Sequence, residues 1–191
     1  VLVNSVLASS QGDGAVSWLY FAFRLMQFPI GVFGVAISTA NFTKVSKEAA
    51  AGNFQAVRDS LRDALRMVMV LTLPSSVGLA VLGIPIISVI YQRGHFHASG
   101  SDQPSLGLAG YSLGLGAYSA IRVMVPVLYS LGKSRSAVWS SGGGMVLNVV
   151  LCLSFVQPLG FAGLALAMSF SAILNAAVLL WIIQSHLKQI E

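Results

Sequence analysis

The sequence predicts an all-α integral membrane protein, a polytopic bundle of packed transmembrane helices. Of its 191 residues, 55% are hydrophobic and only 9% are charged, whereas soluble domains carry about a quarter charged residues. The apolar stretches are long and nearly free of charge. This favours helices over a membrane barrel, whose strands alternate polar and apolar residues over roughly ten positions.

The apolar stretches divide into five complete spans and one partial span. A bilayer core of about 30 Å requires around 20 apolar residues per helix. On that measure, residues 1–10 are the end of a transmembrane helix, and a polar segment at residues 44–66 separates the first two complete spans. The complete spans are predicted at residues 16–39, 67–82, 106–131, 137–156 and 161–183.

The chain opens on Val1-Leu2-Val3-Asn4, with neither a basic region nor a cleavage site. This start does not resemble a signal peptide. Because the first apolar run is too short to span a bilayer, we interpret the chain as part of a longer protein, with further helices missing at both ends.

The basic residues predict the orientation of the bundle. If the connections between spans alternate between the two sides, one side receives eight basic residues and the other receives only Arg93. This asymmetry is typical of a cytoplasmic face. The eight are Lys44, Lys47, Arg58, Arg62, Arg66, Lys133, Arg135 and Lys188.

The polar segment at residues 44–66 has a helical pattern of its own. Apolar residues recur at spacings of three or four, and charged residues occupy the other face. Asn53 is a plausible helix N-cap. The pattern predicts an amphipathic cytoplasmic extension of the next span, and a specific contact with anionic membrane lipids is the alternative. The apolar set is Phe54, Val57, Leu61, Leu65 and Val68.

Arg24 is the most unusual residue, because it lies about eight residues, or roughly 12 Å, inside a predicted span. A charge at that depth normally faces a polar cavity or a partner. A guanidinium that faces a cavity is a receptor for phosphate. The alternatives are that Arg24 reaches the headgroups or pairs with a carboxylate elsewhere. Arg122 lies about ten residues from the cytoplasmic end of its predicted span, and reaching the headgroups there is the favoured interpretation.

Other chemistry is not indicated. All six acidic residues lie outside the predicted spans, which disfavours a proton-driven antiporter. His95 and His97 have no further ligand at a suitable distance, so no metal site is predicted. The single cysteine, Cys152, excludes a disulfide framework within the chain. The cytoplasmic loops account for the net charge of +5, so no nucleic-acid partner is expected.

Three segments resemble the MurJ (MviN) lipid II flippase family, and the order and spacing agree over essentially the whole chain. The first is Ser17-Trp18-Leu19-Tyr20 with the stretch from Arg24 to Ala36, the second is the stretch from Tyr91 to Phe96, and the third is the stretch from Arg122 to Tyr129. The resemblance implies roughly the seventh to twelfth of about fourteen helices in a two-bundle transporter of the bacterial cytoplasmic (inner) membrane.

The resemblance also implies functional residues. Arg24 matches an arginine that lines the central cavity of the family and is thought to engage the pyrophosphate of an undecaprenyl-linked substrate. Ser17 lies two turns earlier on the same helix face and is a weaker candidate for the cavity. Phe23 stands where relatives often carry an aspartate, which removes a local partner for Arg24.

Some relatives place a sodium site between helices, with carboxylates that align with Asn4 and Cys152. Here only neutral oxygens from Asn4, Asn148 and Ser169 are available as ligands, which weakens the case for sodium coupling. No other cofactor is implied, and coupling to the membrane potential is the alternative.

The expected function is therefore transport of a lipid-linked peptidoglycan precursor to the outer leaflet by alternating access. The alternatives are a polysaccharide-lipid flippase or a drug exporter of the same superfamily. A membrane enzyme acting on a lipid-linked substrate is disfavoured, because it needs acids or histidines clustered at one depth, and the sequence shows no such cluster.

Overall fold

The computed structural model describes residues 15–91 and 102–190, and these residues are helical almost throughout. The predicted all-α bundle is confirmed for this part of the chain. The predicted partial span at residues 1–10 and the loop residues 93–101 lie outside it. The helices are α1 (Ala15–Pro29), α2 (Ala36–Ala50), α3 (Phe54–Val81), α4 (Gly83–Tyr91), α5 (Asp102–Ser112), α6 (Leu115–Ser130), α7 (Ser134–Gln157) and α8 (Ala162–Leu187).

Four of the described helical stretches are long and apolar enough to cross a membrane, and a bent pair, α5 with α6, makes a fifth. The bend is 43° and falls between Ser112 and Leu115. The sequence predicted one uninterrupted span here, at residues 106–131. A second break separates α7 from α8 at Gly160, whose φ of 52° and ψ of −131° are open mainly to glycine.

The first span is longer than residues 16–39, because α1 continues into α2 through a π-helical segment, Ile30–Val35. The wider turn follows Pro29, which has no N–H to donate to the preceding turn. Gly34 is buried in this segment, and a Cβ there would lie 3.4 Å from Ser119 on α6. The π segment therefore packs closely against α6.

The polar segment at residues 44–66 is divided between two helices. α2 ends at Ala50, Gly52 takes a φ of +74°, and α3 begins at Phe54. Asn53 is the N-cap, as predicted, and its side chain accepts a hydrogen bond from the N–H of Ala56 at 3.2 Å. The predicted apolar face of α3 is buried or half-buried, and its charged residues are exposed.

The interior contains two apolar clusters, one toward each end of the bundle. The first includes Val45, Leu61, Leu128, Ala137 and Ile183, and the second includes Leu19, Met26, Tyr111, Cys152 and Leu164. α6 packs against α2, α3 and the α7–α8 hairpin, so it is the central helix of the bundle.

Seven of the eight basic residues that the sequence assigned to one side lie at one end of the bundle, and the side chain of Lys188 lies outside the described part. The hydroxyls of Ser46 on α2 and Ser130 on α6 are 3.0 Å apart, which brings the end of α2 beside the end of α6. The first apolar cluster also contains residues from the start of α3 and from the end of α8, so these helix ends lie at the same end of the bundle. We call this the basic end. It carries Lys44, Lys47, Arg58, Arg62, Arg66, Lys133 and Arg135.

At Gly114, immediately before α6, the backbone lies close against α8. A Cβ at Gly114 would lie 2.7 Å from the hydroxyl of Ser169 and 2.8 Å from its Cα. Because the φ of Gly114 is −86°, an alanine is conformationally allowed there, and the obstacle to a substitution is packing alone.

Gly114→Ala is expected to destabilise the full-length protein by about 1–3 kcal/mol, because the added methyl group overpacks the contact. The measurement is the thermal unfolding midpoint in detergent. The control is Gly142→Ala, where a Cβ meets nothing within 4 Å. Equal midpoints for the two variants would contradict the close approach.

The basic end is expected to face the cytoplasm. In intact cells, a cysteine replacing the exposed Ser134 is expected to resist a membrane-impermeant maleimide. A cysteine replacing the exposed Leu82, which follows the end of α3 that lies away from the basic end, is expected to react. The native Cys152 is buried and should contribute little background. The reverse pattern of labelling would show that the orientation is wrong.

Candidate functional site

α1 presents two contrasting faces. Leu19, Ala22, Met26 and Ile30 are buried in the second apolar cluster. On the other face, four exposed residues follow one another at spacings of three and four and form a stripe: Ser17, Tyr20, Arg24 and Phe28. The described helices pack only on the buried face of α1. The exposed stripe therefore faces the surroundings of this bundle, which are lipid, water or the remainder of the protein.

Arg24 is at the middle of that stripe. It lies nine residues after Ala15, which corresponds to about 14 Å of helix rise. Tyr20 is 59% exposed one turn before it, and Phe28 is 73% exposed one turn after it. Ser17 is exposed on the same stripe, so the structure places both predicted substrate contacts on one surface.

Phe23 lies away from this stripe. Its ring meets the ring of Tyr111 on α5 edge-on, with centroids 5.9 Å apart. Phe23 is thus used for packing α1 against α5. The acidic side chains that the structure describes are Glu48, Asp59 and Asp63, on α2 and α3 toward the basic end, away from Arg24 in α1.

Arg122 is exposed on α6. Its backbone carbonyl accepts a hydrogen bond from the Ser38 hydroxyl at 2.7 Å, which ties α6 to α2. Arg122 lies eight residues before the end of α6, about 12 Å from it. That distance allows the long side chain to extend toward the headgroups at the basic end, and this interpretation stays a prediction.

The candidate cation ligands have separate surroundings. The Ser169 hydroxyl is buried and donates to the carbonyl of Gly110 at 2.6 Å. The side-chain oxygen of Asn148, Oδ1, accepts a long hydrogen bond from the Cys152 thiol at 3.9 Å, one turn along α7. Asn4 lies outside the described residues. The sodium site therefore stays a prediction, with Ser169 already engaged in packing α8 against α5.

The sequence did not indicate a set of polar contacts between α7 and α8. The Ser140 hydroxyl donates to the side-chain carbonyl of Asn175 at 2.6 Å, and the Ser171 hydroxyl donates to the carbonyl of Gly144 at 2.9 Å. Serine and glycine at helix crossings are common in membranes, where close packing and hydrogen bonds replace hydrophobic association. The spacing of serine and glycine along the two predicted spans was the signal from which these contacts could have been predicted. The contacts serve the hairpin and lie apart from the exposed stripe.

A model of the family described as Lipid II flippase MurJ matches residues 1–191. The chain belongs to the MurJ lipid II flippase family. A Vibrio cholerae relative, named as a probable lipid II flippase MurJ, is 37% identical over 179 residues, which are 94% of this chain and 34% of that protein. The Burkholderia cenocepacia lipid II flippase MurJ is 30% identical over 179 residues, 94% of this chain and 35% of its own length.

The chain thus spans about a third of the length of these MurJ relatives. A solved structure of a lipid II flippase MurJ in an inward closed conformation superposes with a TM-score of 0.88 at 29% identity, covering 95% of this chain and 38% of that one. The Vibrio cholerae MATE transporter VcmN in its bent form gives 0.86 at 20% identity, covering 96% and 41%. At that identity the second likeness is to the fold alone.

If the exposed stripe of α1 faces an aqueous cavity in the whole protein, a cysteine replacing Arg24 is expected to react with a charged, water-soluble thiol reagent. The control is Trp139→Cys on α7. Trp139 is 80% exposed in a predicted span, and an indole suits a lipid-facing position. The readout is the fraction of each cysteine modified in membranes. Equal protection of the two cysteines would place Arg24 against lipid.

Proposed function

We propose that the protein containing this chain is a lipid II flippase of the bacterial inner membrane. It moves an undecaprenyl-pyrophosphate-linked sugar-peptide from the inner to the outer leaflet for cell-wall synthesis. The observation that carries the proposal is the family match over all 191 residues. The superposition on a solved MurJ over 95% of the chain supports it.

Arg24 provides the contact with the cargo in this proposal. A pyrophosphate is compact, doubly anionic and rich in acceptor oxygens, and a guanidinium can bind it through paired hydrogen bonds. The outward position of Arg24 on α1 suits a site shared with a second bundle, since the residues of this bundle that the structure describes leave Arg24 exposed. Ser17 adds a hydroxyl on the same surface.

Alternating access supplies the motion. In two-bundle transporters the bundles rock against one another around a fixed site. The π segment, Ile30–Val35, lies on the same span as Arg24 and adjoins α6 through Gly34. π-helical turns inside α-helices occur frequently at functional sites. The cargo keeps its covalent bonds, so the protein acts as a transporter and not as an enzyme.

The membrane potential is the proposed source of energy. Moving one elementary charge through the membrane is worth about 2.3 kcal/mol per 100 mV. The cationic Arg24 would sense this field if it lies in a cavity. Sodium coupling is less well supported, because the candidate ligands Asn148 and Ser169 are uncharged, whereas a hard cation prefers carboxylates.

A different cargo is the second candidate. The fold is also that of MATE transporters, so a polysaccharide-lipid flippase or a drug exporter of the same superfamily is compatible with the architecture. The family match favours lipid II. Complementation with the full-length gene separates the candidates, because only a lipid II flippase restores growth to cells depleted of their own.

In such a complementation, Arg24→Ala is expected to abolish or strongly reduce growth, because the cavity loses its anion contact. Arg24→Lys is expected to restore growth in part, since it keeps the charge and loses the paired hydrogen bonds. The control is Arg122→Ala, which removes an exposed arginine of another span. Protein levels in the membrane are measured for each variant. Growth of Arg24→Ala equal to the parent would exclude Arg24 as the anion contact.

A further inference from the structure

A groove of about 860 Å³ runs along the outside of the bundle between α3, α6 and α8. Its floor is made of small residues of α6, namely Gly116, Ala117 and Ala120. Both walls pack on α6, which holds α3 and α8 apart along the groove. The volume lies within the range of about 300–1,000 Å³ that ligand pockets occupy.

The α3 wall changes character along its length. Its lining residues recur every three or four positions and so form one stripe: Arg58, Arg62, Arg66, Met69, Leu73 and Ser76. The arginines lie at the basic end, and the rest of the stripe is largely apolar. From Arg66 to Ser76 the helix rises about 15 Å, which is half of a bilayer core of about 30 Å. The groove therefore has the polarity and length of a single leaflet.

The α8 wall continues this pattern. α8 runs antiparallel to α3 in the bundle, so its end lies beside the arginines. Gln184 lines the groove near that end, and Ile173, Ala177 and Leu180 line it toward the middle of the membrane. Polar groups thus face one another where the groove reaches the basic end, and apolar groups face one another toward the middle of the membrane.

Among the described residues that line the groove, the charged ones are the three arginines of α3, and none is acidic. Asp63, the nearest acid along α3 to Arg62 and Arg66, lines a different crevice, of about 390 Å³, which it shares with Lys44 and Asn41 of α2. Its charge is therefore directed to the opposite flank of α3. Arg62 and Arg66 are exposed, and guanidinium groups bind phosphate through paired hydrogen bonds.

We propose that this groove is a binding site for an anionic phospholipid of the leaflet at the basic end. The headgroup phosphate contacts Arg62 and Arg66, and an acyl chain lies along α6. Basic pockets between helices at this depth suit anionic headgroups. A transmembrane helix from the remainder of the protein fits the groove less well, because its apolar side would cover two arginines.

This lipid site is separate from the cargo contact. Arg24 lies on α1, toward the end of the bundle opposite the groove arginines, and neither Arg24 nor any other residue of α1 lines the groove. The bound phospholipid is therefore a structural or regulatory partner, distinct from the transported lipid.

The test measures phosphatidylglycerol bound to purified, delipidated full-length protein by native mass spectrometry, with phosphatidylcholine as the neutral comparison. Arg62→Gln with Arg66→Gln is expected to weaken phosphatidylglycerol binding about tenfold or more. The matched control is Lys133→Gln with Arg135→Gln, which removes two charges at the same end outside the groove and is expected to leave binding nearly unchanged.

A second pair of variants tests the acyl-chain part of the groove. Ala177→Trp fills it and is expected to reduce binding, whereas Val178→Trp, on the exposed face beside it, is expected to leave binding unchanged. Arg24→Ala should bind phosphatidylglycerol like the parent protein, whatever its effect on growth. Equal losses in the two charge variants, or no effect of Ala177→Trp, would overturn the proposal.

Discussion

Close backbone contact between α5–α6 and α8 is the constraint on which this bundle depends. Within a bilayer, helices gain little by burying apolar side chains against one another, because lipid tails are equally apolar. Association relies on packing and hydrogen bonds instead. Here Gly110 and Gly114 let α8 approach so closely that a Cβ at Gly110 would be 2.9 Å from the Cβ of Ala165. The Ser169 hydroxyl then bonds to the carbonyl of Gly110 across the contact.

This contact sets the positions of the other elements. With α8 held on α5 and α6, the α5–α6 segment bends by 43° in the same region. α1 packs on α5, α2 and α3 pack on α6, and the two apolar clusters form on either side of the bend. One face of α1 and the groove between α3 and α8 remain open as a result. The functional proposals concern these two surfaces.

The two surfaces differ in the way charge is presented. On α1 a single cation is flanked by Tyr20 and Phe28, and the acidic side chains that the structure describes lie on α2 and α3, toward the basic end. In the groove, Arg62 and Arg66 stand at the membrane edge, where water and headgroups reduce the cost of the charge. A cation at depth needs a specific partner or cavity, whereas a cation at the edge needs only a headgroup. This difference is the physical basis for assigning the cargo to Arg24 and a resident lipid to the groove.

The sequence by itself determined the membrane class, the helical architecture, the Asn53 cap and the apolar face of α3, because hydropathy and helical periodicity depend on neighbours along the chain. It also singled out Arg24, since a charge inside an apolar run is visible without coordinates. The tertiary structure alone decided the π segment after Pro29, the break before Leu115 and the place of Phe23 against Tyr111. It alone brought α3, α6 and α8 together around the groove. These features arise from contacts between helices that are far apart in sequence, and local pattern carries no information about which faces meet.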